Sequence, residues 1–233
     1  MTVTFVTALY LPTDSLLAEK YLDLGHWLID AKIPLRIYTT PCLATHMRQR
    51  WADLSHVKSI EDVEMETYWT EEVTLPEERN LKKDTPFYMS VLLTKLKVCA
   101  DAAKTIATDM LCWLDFGLFH IFQDKPAMIQ VLKGLESGRG LTQITSPGGY
   151  DPVGRTCSDL LHRICWKNLG GVLIGPTEAF EEAYFRQRSL VELMWPRLLW
   201  EVNYWAVLTE EGLFDLYEAD HNESILANLI DRI

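Results

Sequence analysis

The chain lacks any pair of cysteines at the close spacing that structural zinc sites use. Its five cysteines are scattered and odd in number, and no Cys-x-x-Cys occurs. This pattern argues against a structural metal site and against a disulfide framework. The cysteines, which we expect to be reduced, are Cys42, Cys99, Cys112, Cys157 and Cys165.

Long apolar runs are also missing. No run approaches the roughly 20 apolar residues that a membrane-spanning helix needs. The first eight residues, 1–8, carry no basic side chain and alternate as a strand does, unlike a signal peptide. We therefore expect a cytoplasmic protein without a transmembrane segment, either free or peripheral at the inner face of a membrane.

Positive charge is scarce. The chain has 22 Lys and Arg against 33 Asp and Glu, a net charge of -11. Such a balance argues against a surface that follows the phosphates of DNA or RNA, so no nucleic-acid partner is expected. A single nucleotide is not excluded, because one pocket can be basic on an acidic protein. The sequence leaves the oligomeric state open.

Internal repeats, low-complexity tracts and Gly/Ser linkers are absent as well, so residues 1–233 are predicted to form one domain. With 48% hydrophobic residues in 233, the chain can bury a sizeable core. Strand-like and helix-like segments alternate, which predicts an α/β fold: a mostly parallel central sheet with helices on both faces.

The apolar patterns assign these elements along the chain. Strands are predicted at 2–11, 35–40, 63–68, 110–114, 141–146, 170–175 and 213–218. Helices are predicted at 15–31, 42–53, 86–108, 125–136, 155–166, 176–194 and 197–209, with a short helix closing the chain. Residues 70–84 are predicted to form an exposed loop, and residues 147–149 a turn.

The most informative stretch is an apolar run that ends in one acid, Asp115, with Gly117 two residues later. The carboxyl end of such a strand is where open α/β sheets bind ligands. An ionised carboxylate at the edge of a core is costly unless it is paired. A metal ion, a sugar hydroxyl or an arginine could pair with this carboxylate. The nearby His120 is either structural or a hydrogen-bond partner of substrate.

A lysine interrupts the apolar stripe of the long helix predicted before this strand. Lys95 is either a snorkelling side chain at the edge of the stripe or a cation that meets a phosphate or carboxylate at the site. The stripe, at helical spacing, consists of Tyr88, Val91, Leu92, Lys95, Leu96 and Cys99.

Three later motifs carry further candidates. The pair Gly170 and Gly171 marks a close approach of backbone to a neighbour or ligand. Glu201 shares a helix face with Trp205. It is either a surface acid stabilised by the helix dipole or a carboxylate at a reacting centre with aromatic walls. The cluster 220–222 is either ordinary turn chemistry or the source of a metal ligand, His221.

Taken in order, these motifs resemble a nucleotide-sugar-dependent glycosyltransferase of the GT-A fold. The likeness is to the HtrL/YibB-like family of bacterial and viral enzymes and covers nearly the whole chain. It rests on Val6-Thr7-Ala8, the Lys95 helix before Trp113-Leu114-Asp115-Phe116-Gly117, Gly170-Gly171, Trp200-Glu201-Val202-Asn203 and Asp220-His221-Asn222.

The resemblance implies a role for each matching residue. Asp115 would contact the ribose and a metal ion, His221 would complete the metal site, and Glu201 would lie near the anomeric carbon, so Asp115 and Glu201 are the expected catalytic residues. The chain departs from the family pattern at Gly117, where a second acid is usual. A metal would then be held by Asp115, His221 and diphosphate oxygens, or would be weak or absent. The nucleotide-sugar site is expected to comprise Thr7, Ala8, Tyr10, Lys95, Asp115, Gly117, Gly170 and Gly171.

The implied activity is transfer of a sugar from a nucleoside-diphosphate sugar, with UDP the first choice, to a hydroxyl of a glycan or glycoconjugate. Mn²⁺ or Mg²⁺ and Lys95 would stabilise charge on the leaving diphosphate. In an inverting enzyme Glu201 or another acid would deprotonate the acceptor. In a retaining enzyme Glu201 would stabilise an oxocarbenium-like ion. The alternatives are a non-catalytic nucleotide- or sugar-binding module and a nucleotidyltransferase. Residues 9–20 disfavour the nucleotidyltransferase, because they contain no Gly and a single basic residue, Lys20.

Overall fold

A seven-stranded sheet organises the molecule. The computed structural model describes residues 2–11, 17–62, 65, 68, 72–135, 140–149 and 164–232. The strands are β1 (Val3–Leu9), β2 (Leu35–Thr39), β3 (Val57–Asp62), β4 (Met110–Leu114), β5 (Ile144–Gly148), β6 (Val172–Pro176) and β7 (Phe214–Glu218). Their order is β3-β2-β1-β4-β6-β5-β7, and β6 alone runs antiparallel to its neighbours. The predicted mostly parallel sheet is confirmed.

Helices cover both faces of this sheet, as predicted. One face packs against α1 (Ala18–Asp30), α2 (Pro41–Arg50), α4 (Lys125–Leu135) and α7 (Ser224–Ala227). The other packs against α3 (Pro86–Thr105), α5 (Thr177–Met194) and α6 (Glu201–Glu210). Short 3-10 helices span Leu118–Ile121 and Ile230–Arg232. Within the described ranges, no helix combines the length and the apolar character that crossing a membrane requires.

The alternation of side chains along β4 decides on which face Asp115 lies. Cys112 and Leu114 belong to the core on the α1 side, whereas Leu111 and Trp113 belong to the core on the α3 side. Successive side chains of a strand point to opposite faces. Asp115, the next residue after β4, therefore continues the series on the α3 side.

The reversed strand brings glycine backbone to the same edge of the sheet. Because β6 is antiparallel to β4, the residues before β6 lie beside the residues after β4. The backbone N–H of Asp115 donates to the carbonyl of Gly171 at 2.9 Å. The predicted glycine pair and the predicted acid are thus neighbours across adjacent strands.

The third strand of the structure lies at Val57–Asp62. The strand predicted at 63–68 lies mostly outside the described residues, which include only 65 and 68 of that range. The turn predicted at 147–149 is wrong in part. Pro147 and Gly148 lie in β5, in parallel register with Tyr217 and Glu218 of β7.

Two predicted helices also need revision. The helix predicted from residue 197 begins at Glu201, because the chain before it is extended and forms a bridge from Arg197 to Thr74. The long helix ends at Thr105 rather than 108. Most of the helix predicted at 155–166 lies outside the described residues, and residues 164–166 are not helical.

Candidate functional site

A buried ammonium group lies at the centre of the predicted site. Nζ of Lys95, in the middle of α3, is 2.9 Å from Oδ1 and 3.2 Å from Oδ2 of Asp115. It donates to Oε1 of Glu201 at 3.0 Å and to the carbonyl of Gly170 at 2.9 Å. A lysine ammonium has three N–H donors, and these three acceptor groups occupy them. We call Lys95, Asp115 and Glu201 the ionic cluster.

The three members of the ionic cluster differ sharply in exposure. The side chains of Lys95 and Glu201 are 6% and 5% exposed, whereas that of Asp115 is 39% exposed. Asp115 therefore presents the cluster to solvent, and Glu201 is held behind it. With both acids ionised and the lysine protonated, the cluster carries one net negative charge.

The two carboxylates decide the charge state of the lysine. Burial alone would lower the pKa of Lys95. The charges of Asp115 and Glu201 and their hydrogen bonds outweigh burial and raise that pKa above its usual value. Lys95 is consequently an ammonium ion throughout the physiological pH range.

Gly170 makes the packing of the ionic cluster possible. A Cβ at this position would lie 2.5 Å from Oε1 of Glu201 and 3.2 Å from Nζ of Lys95. Both distances are shorter than ordinary contacts, so a side chain here would push the ion pair apart. The predicted close backbone approach is present, and what approaches Gly170 is the protein's own ion pair.

Two indole rings flank the ionic cluster. Nε1 of Trp113 donates to Oδ1 of Asp115 at 2.9 Å. The rings of Trp113 and Trp205 have their centroids 6.0 and 5.9 Å from Nζ of Lys95, within the range of a cation–π contact. Nε1 of Trp205 donates to Gln187, which in turn donates to the backbone carbonyl of Leu93, both at 2.8 Å. Sequence reasoning missed Gln187, because a single Gln on a helix carries no pattern.

The predicted residues of β1 lie beside Asp115. Val6 pairs with Trp113, so continuing the register by two residues brings Ala8 level with Asp115. Thr7 is fully buried, and its Oγ1 has no hydrogen-bond partner among the described residues. Tyr10 is 5% exposed and belongs to the core on the α3 side. Contact of these residues with a nucleotide stays a prediction.

Gly117 and His120 shape the turn that follows Asp115. The ring Nδ1 of His120 lies 2.6 Å from the carbonyl oxygen of Gly117, and the backbone N–H of His120 donates to the same carbonyl at 3.1 Å. The His120 ring therefore closes the local turn. This is the structural role, one of the two roles that the sequence left open for His120. Gly117, which stands where the family usually has a second acid, contributes its backbone carbonyl to this turn. It supplies no carboxylate to the site.

His221 lies three residues beyond β7, and β7 is three strands from β4 in the sheet. At about 4.8 Å per strand, this separation is about 14 Å. Among the residues that the structure describes, no group of three or more His, Cys, Asp or Glu side chains is arranged to hold a metal ion. That Asp115 and His221 share an ion stays a prediction.

Two residues outside the predicted set lie close to the site. Tyr88 is two helical turns before Lys95 on the same stripe. Burial, followed by the charge of Glu201, raises the pKa of its phenol, and Lys95 and Asp115 also act on it. The ammonium of Lys83 lies 4.8 Å from the centre of the Tyr88 ring. Tyr88 was part of the predicted stripe, whereas Lys83 falls in the segment predicted only as a loop.

The fold of this chain is similar to that of a solved structure. The chain superposes on a galactosyltransferase, LgtC, in complex with donor and acceptor sugar analogues. The TM-score is 0.51 at 11% identity, over 91% of this chain and 72% of that one. The fold is GT-A-like. No family model matches the sequence, and no curated protein matches it.

Two further solved structures align with this chain at lower scores. CMP:2-keto-3-deoxy-manno-octonic acid synthetase complexed with CTP aligns at 7% identity and a TM-score of 0.47, over 100% of this chain and 98% of that one. The bifunctional IspDF from Campylobacter jejuni aligns at 10% identity and a TM-score of 0.45, over 94% of this chain. The chain spans half the length of that bifunctional enzyme.

Proposed function

We propose that this protein transfers a sugar from a nucleoside-diphosphate sugar to a hydroxyl group of a glycan or glycoconjugate. The observation that carries the proposal is the carboxylate of Asp115. It is 39% exposed at the carboxyl end of a central strand of a GT-A-like fold, and a buried ammonium holds it in place. Ligands of open α/β sheets bind at this edge.

In this reaction Asp115 accepts hydrogen bonds from hydroxyl groups of the donor, on its ribose or its sugar. Such contacts position the bond that breaks, between the anomeric carbon and the oxygen of the diphosphate. The electron pair of that bond leaves with the diphosphate. The acceptor hydroxyl oxygen forms the new bond to the anomeric carbon and releases its proton to a base.

Glu201 and Lys95 act through Asp115 in this proposal. Glu201 is 5% exposed and its Oε1 is bound to Lys95, so it lies behind the surface that a donor can reach. All three N–H donors of Lys95 are hydrogen-bonded to protein acceptors. We assign both as positioning residues, which differs from the direct contacts with the reacting atoms and the diphosphate that the sequence suggests.

Among the described residues, no three His, Cys, Asp or Glu side chains are grouped so as to hold Mn²⁺ or Mg²⁺. These ions take about six oxygen-rich ligands in near-octahedral geometry. Asp115 offers one carboxylate, of which Oδ1 already accepts hydrogen bonds from Lys95 and Trp113. Gly117 stands where a second acid would be. No step of the proposed reaction is therefore assigned to a metal.

A product assay tests this proposal. The protein is incubated with a panel of nucleoside-diphosphate sugars, beginning with UDP sugars, and release of the nucleoside diphosphate is measured with and without glycan acceptors. In parallel it is incubated with nucleoside triphosphates and sugar phosphates, and release of pyrophosphate is measured. We expect nucleoside diphosphate release. Pyrophosphate alone would support a nucleotidyltransferase, and binding without turnover would support a non-catalytic module.

A further inference from the structure

The charge of the ionic cluster raises a question about the donor's diphosphate. The cluster contains two carboxylates and one ammonium, and that ammonium is 6% exposed and bound to both. A diphosphate is itself an anion. A site of net negative charge repels it, so a positive charge must come from outside the cluster.

An exposed lysine, Lys83, lies beside a residue of the stripe that carries Lys95. That residue, Tyr88, precedes Lys95 by seven residues, so its Cα lies on the same side of α3 and about 10 Å nearer to the start of the helix. Nζ of Lys83 is 4.8 Å from the centre of the Tyr88 ring. The charges of Glu201, Lys95 and Asp115 all act on the phenol of Tyr88, which ties the Lys83–Tyr88 pair to the ionic cluster.

Hydrogen bonds hold the backbone of the turn that carries Lys83. The backbone N–H groups of Lys83 and Asp84 both donate to the carbonyl of Asn80, at 3.0 and 2.8 Å. The backbone N–H of Asn80 donates to the carboxylate of Asp84 at 2.9 Å, and Asp84 is 6% exposed. The backbone of Lys83 is thus fixed, while its side chain is exposed and has three rotatable donors.

We propose that Lys83 contacts the diphosphate of the donor and supplies the positive charge that the sequence assigned to a divalent cation and to Lys95. The proposal rests on the function proposed above. A lysine binds phosphate as a compact point charge. Its position over the Tyr88 ring is where the ammonium rests before a donor binds.

Calorimetric titration tests this proposal. UDP is titrated into the wild-type protein in the presence of EDTA, and into Lys83→Ala, Lys83→Arg and Lys82→Ala. Lys82 is the matched control, because it is an exposed lysine in the same turn. We expect Lys83→Ala to weaken UDP binding about tenfold or more, and Lys83→Arg and Lys82→Ala to stay close to wild type.

Three outcomes would overturn the proposal. Equal affinity of Lys83→Ala and Lys82→Ala for UDP would show that Lys83 does not contact the diphosphate. Binding by the wild-type protein that needs added Mn²⁺ and is abolished by EDTA would assign the charge to a metal. Absence of binding by the wild type to UDP, GDP, CDP and ADP under either condition would refute the proposed function itself. Unchanged melting temperatures of the variants exclude misfolding as the cause.

Discussion

The segments that follow β4 and β7 place similar residue types at the same edge of the sheet, with different results. Asp115 follows a central strand. Its carboxylate is bound by a buried lysine and a tryptophan, and its backbone N–H donates to the carbonyl of Gly171. The cluster 220–222 follows an edge strand and is exposed. There, Asn222 accepts from the backbone of Ser224, and the backbone of Asp220 donates to the Ser224 hydroxyl, both at 2.8 Å.

This comparison separates a carboxylate that is bound by distant parts of the chain from a turn whose backbone is bound by its own next residues. Around Asp115, four elements converge: β4, α3, the start of α6 and the glycines before β6. Around Asp220, the partners come from the next few residues of the chain. Local partners satisfy turn residues without any ligand, so the first segment carries the stronger functional argument.

The largest effect is expected at the centre of the ionic cluster. Lys95→Met leaves the buried carboxylate of Glu201 and the partly exposed carboxylate of Asp115 without their cation, which should lower the free energy of unfolding by about 3 to 5 kcal/mol. Adding Glu201→Gln should restore part of this loss, because it removes one unpaired charge. Urea unfolding of the single and double variants measures both. If the losses in unfolding free energy of the two single variants simply add in the double variant, the claim that the cluster acts as one unit is contradicted.

A smaller loss is expected where backbone approaches the cluster. Gly170→Ala places a methyl group against Glu201 and should cost about 1 to 3 kcal/mol. Gly134→Ala is the control: its added Cβ would lie 3.9 Å from Ile230, on a helix where Ala is preferred. Chemical denaturation should show a loss for the first and none for the second. Equal stability of the two variants would mean that the Lys95–Glu201 ion pair can shift to admit the methyl group at no cost in free energy.

The ionic cluster also predicts a pH dependence. The pKa of Lys95 is raised in the folded protein. The stabilisation is therefore complete below the unfolded lysine pKa of about 10.4 and declines, by about 1.4 kcal/mol per pH unit, as the pH rises toward the folded value. The difference in unfolding free energy between wild type and Lys95→Met should be constant from pH 7 to pH 9 and shrink above about pH 10.4. A constant difference to higher pH would contradict this account.

The smallest effect is expected at the edge strand. His221→Ala removes an exposed side chain and should change stability by less than about 0.5 kcal/mol. It should also leave UDP affinity in EDTA unchanged, because the account assigns the diphosphate to Lys83. The same UDP titration in the presence of Mn²⁺ tests the metal role directly. If His221→Ala then lowers UDP affinity, the metal role predicted from the sequence is restored.

Much of this arrangement could be predicted from the sequence, for physical reasons that can be named. The buried run before Asp115 and the helical stripe with Lys95 are local patterns, and both have their predicted form. The meeting of Lys95 with Glu201 joins residues 106 positions apart. Spacing along the chain contains no information about that contact. The expected role of Glu201 at the reacting centre stays a prediction.

What the sequence did not reveal depends on contacts with other parts of the chain. Pro147 and Gly148 form an ordinary turn pair, yet they lie in β5 because β7 pairs with them. Tertiary pairing here overrides turn propensity. Lys83 was passed over because a charged loop has no periodicity that would single out one lysine. Its place over Tyr88 is visible only once the turn at 80–84 is seen to return to the start of α3.

The most direct test of the central claim compares the two ends of β4. Asp109 precedes the strand, where its carboxylate accepts from the backbone N–H of Thr2 at 2.8 Å, and Asp115 follows the strand. The measurement is the rate of nucleoside diphosphate release from the donor panel by wild type, Asp109→Asn and Asp115→Asn. We expect Asp115→Asn to lower the rate about 100-fold or more, and Asp109→Asn to leave it near wild type. Equal rates for the two variants would contradict the claim that Asp115 contacts the donor.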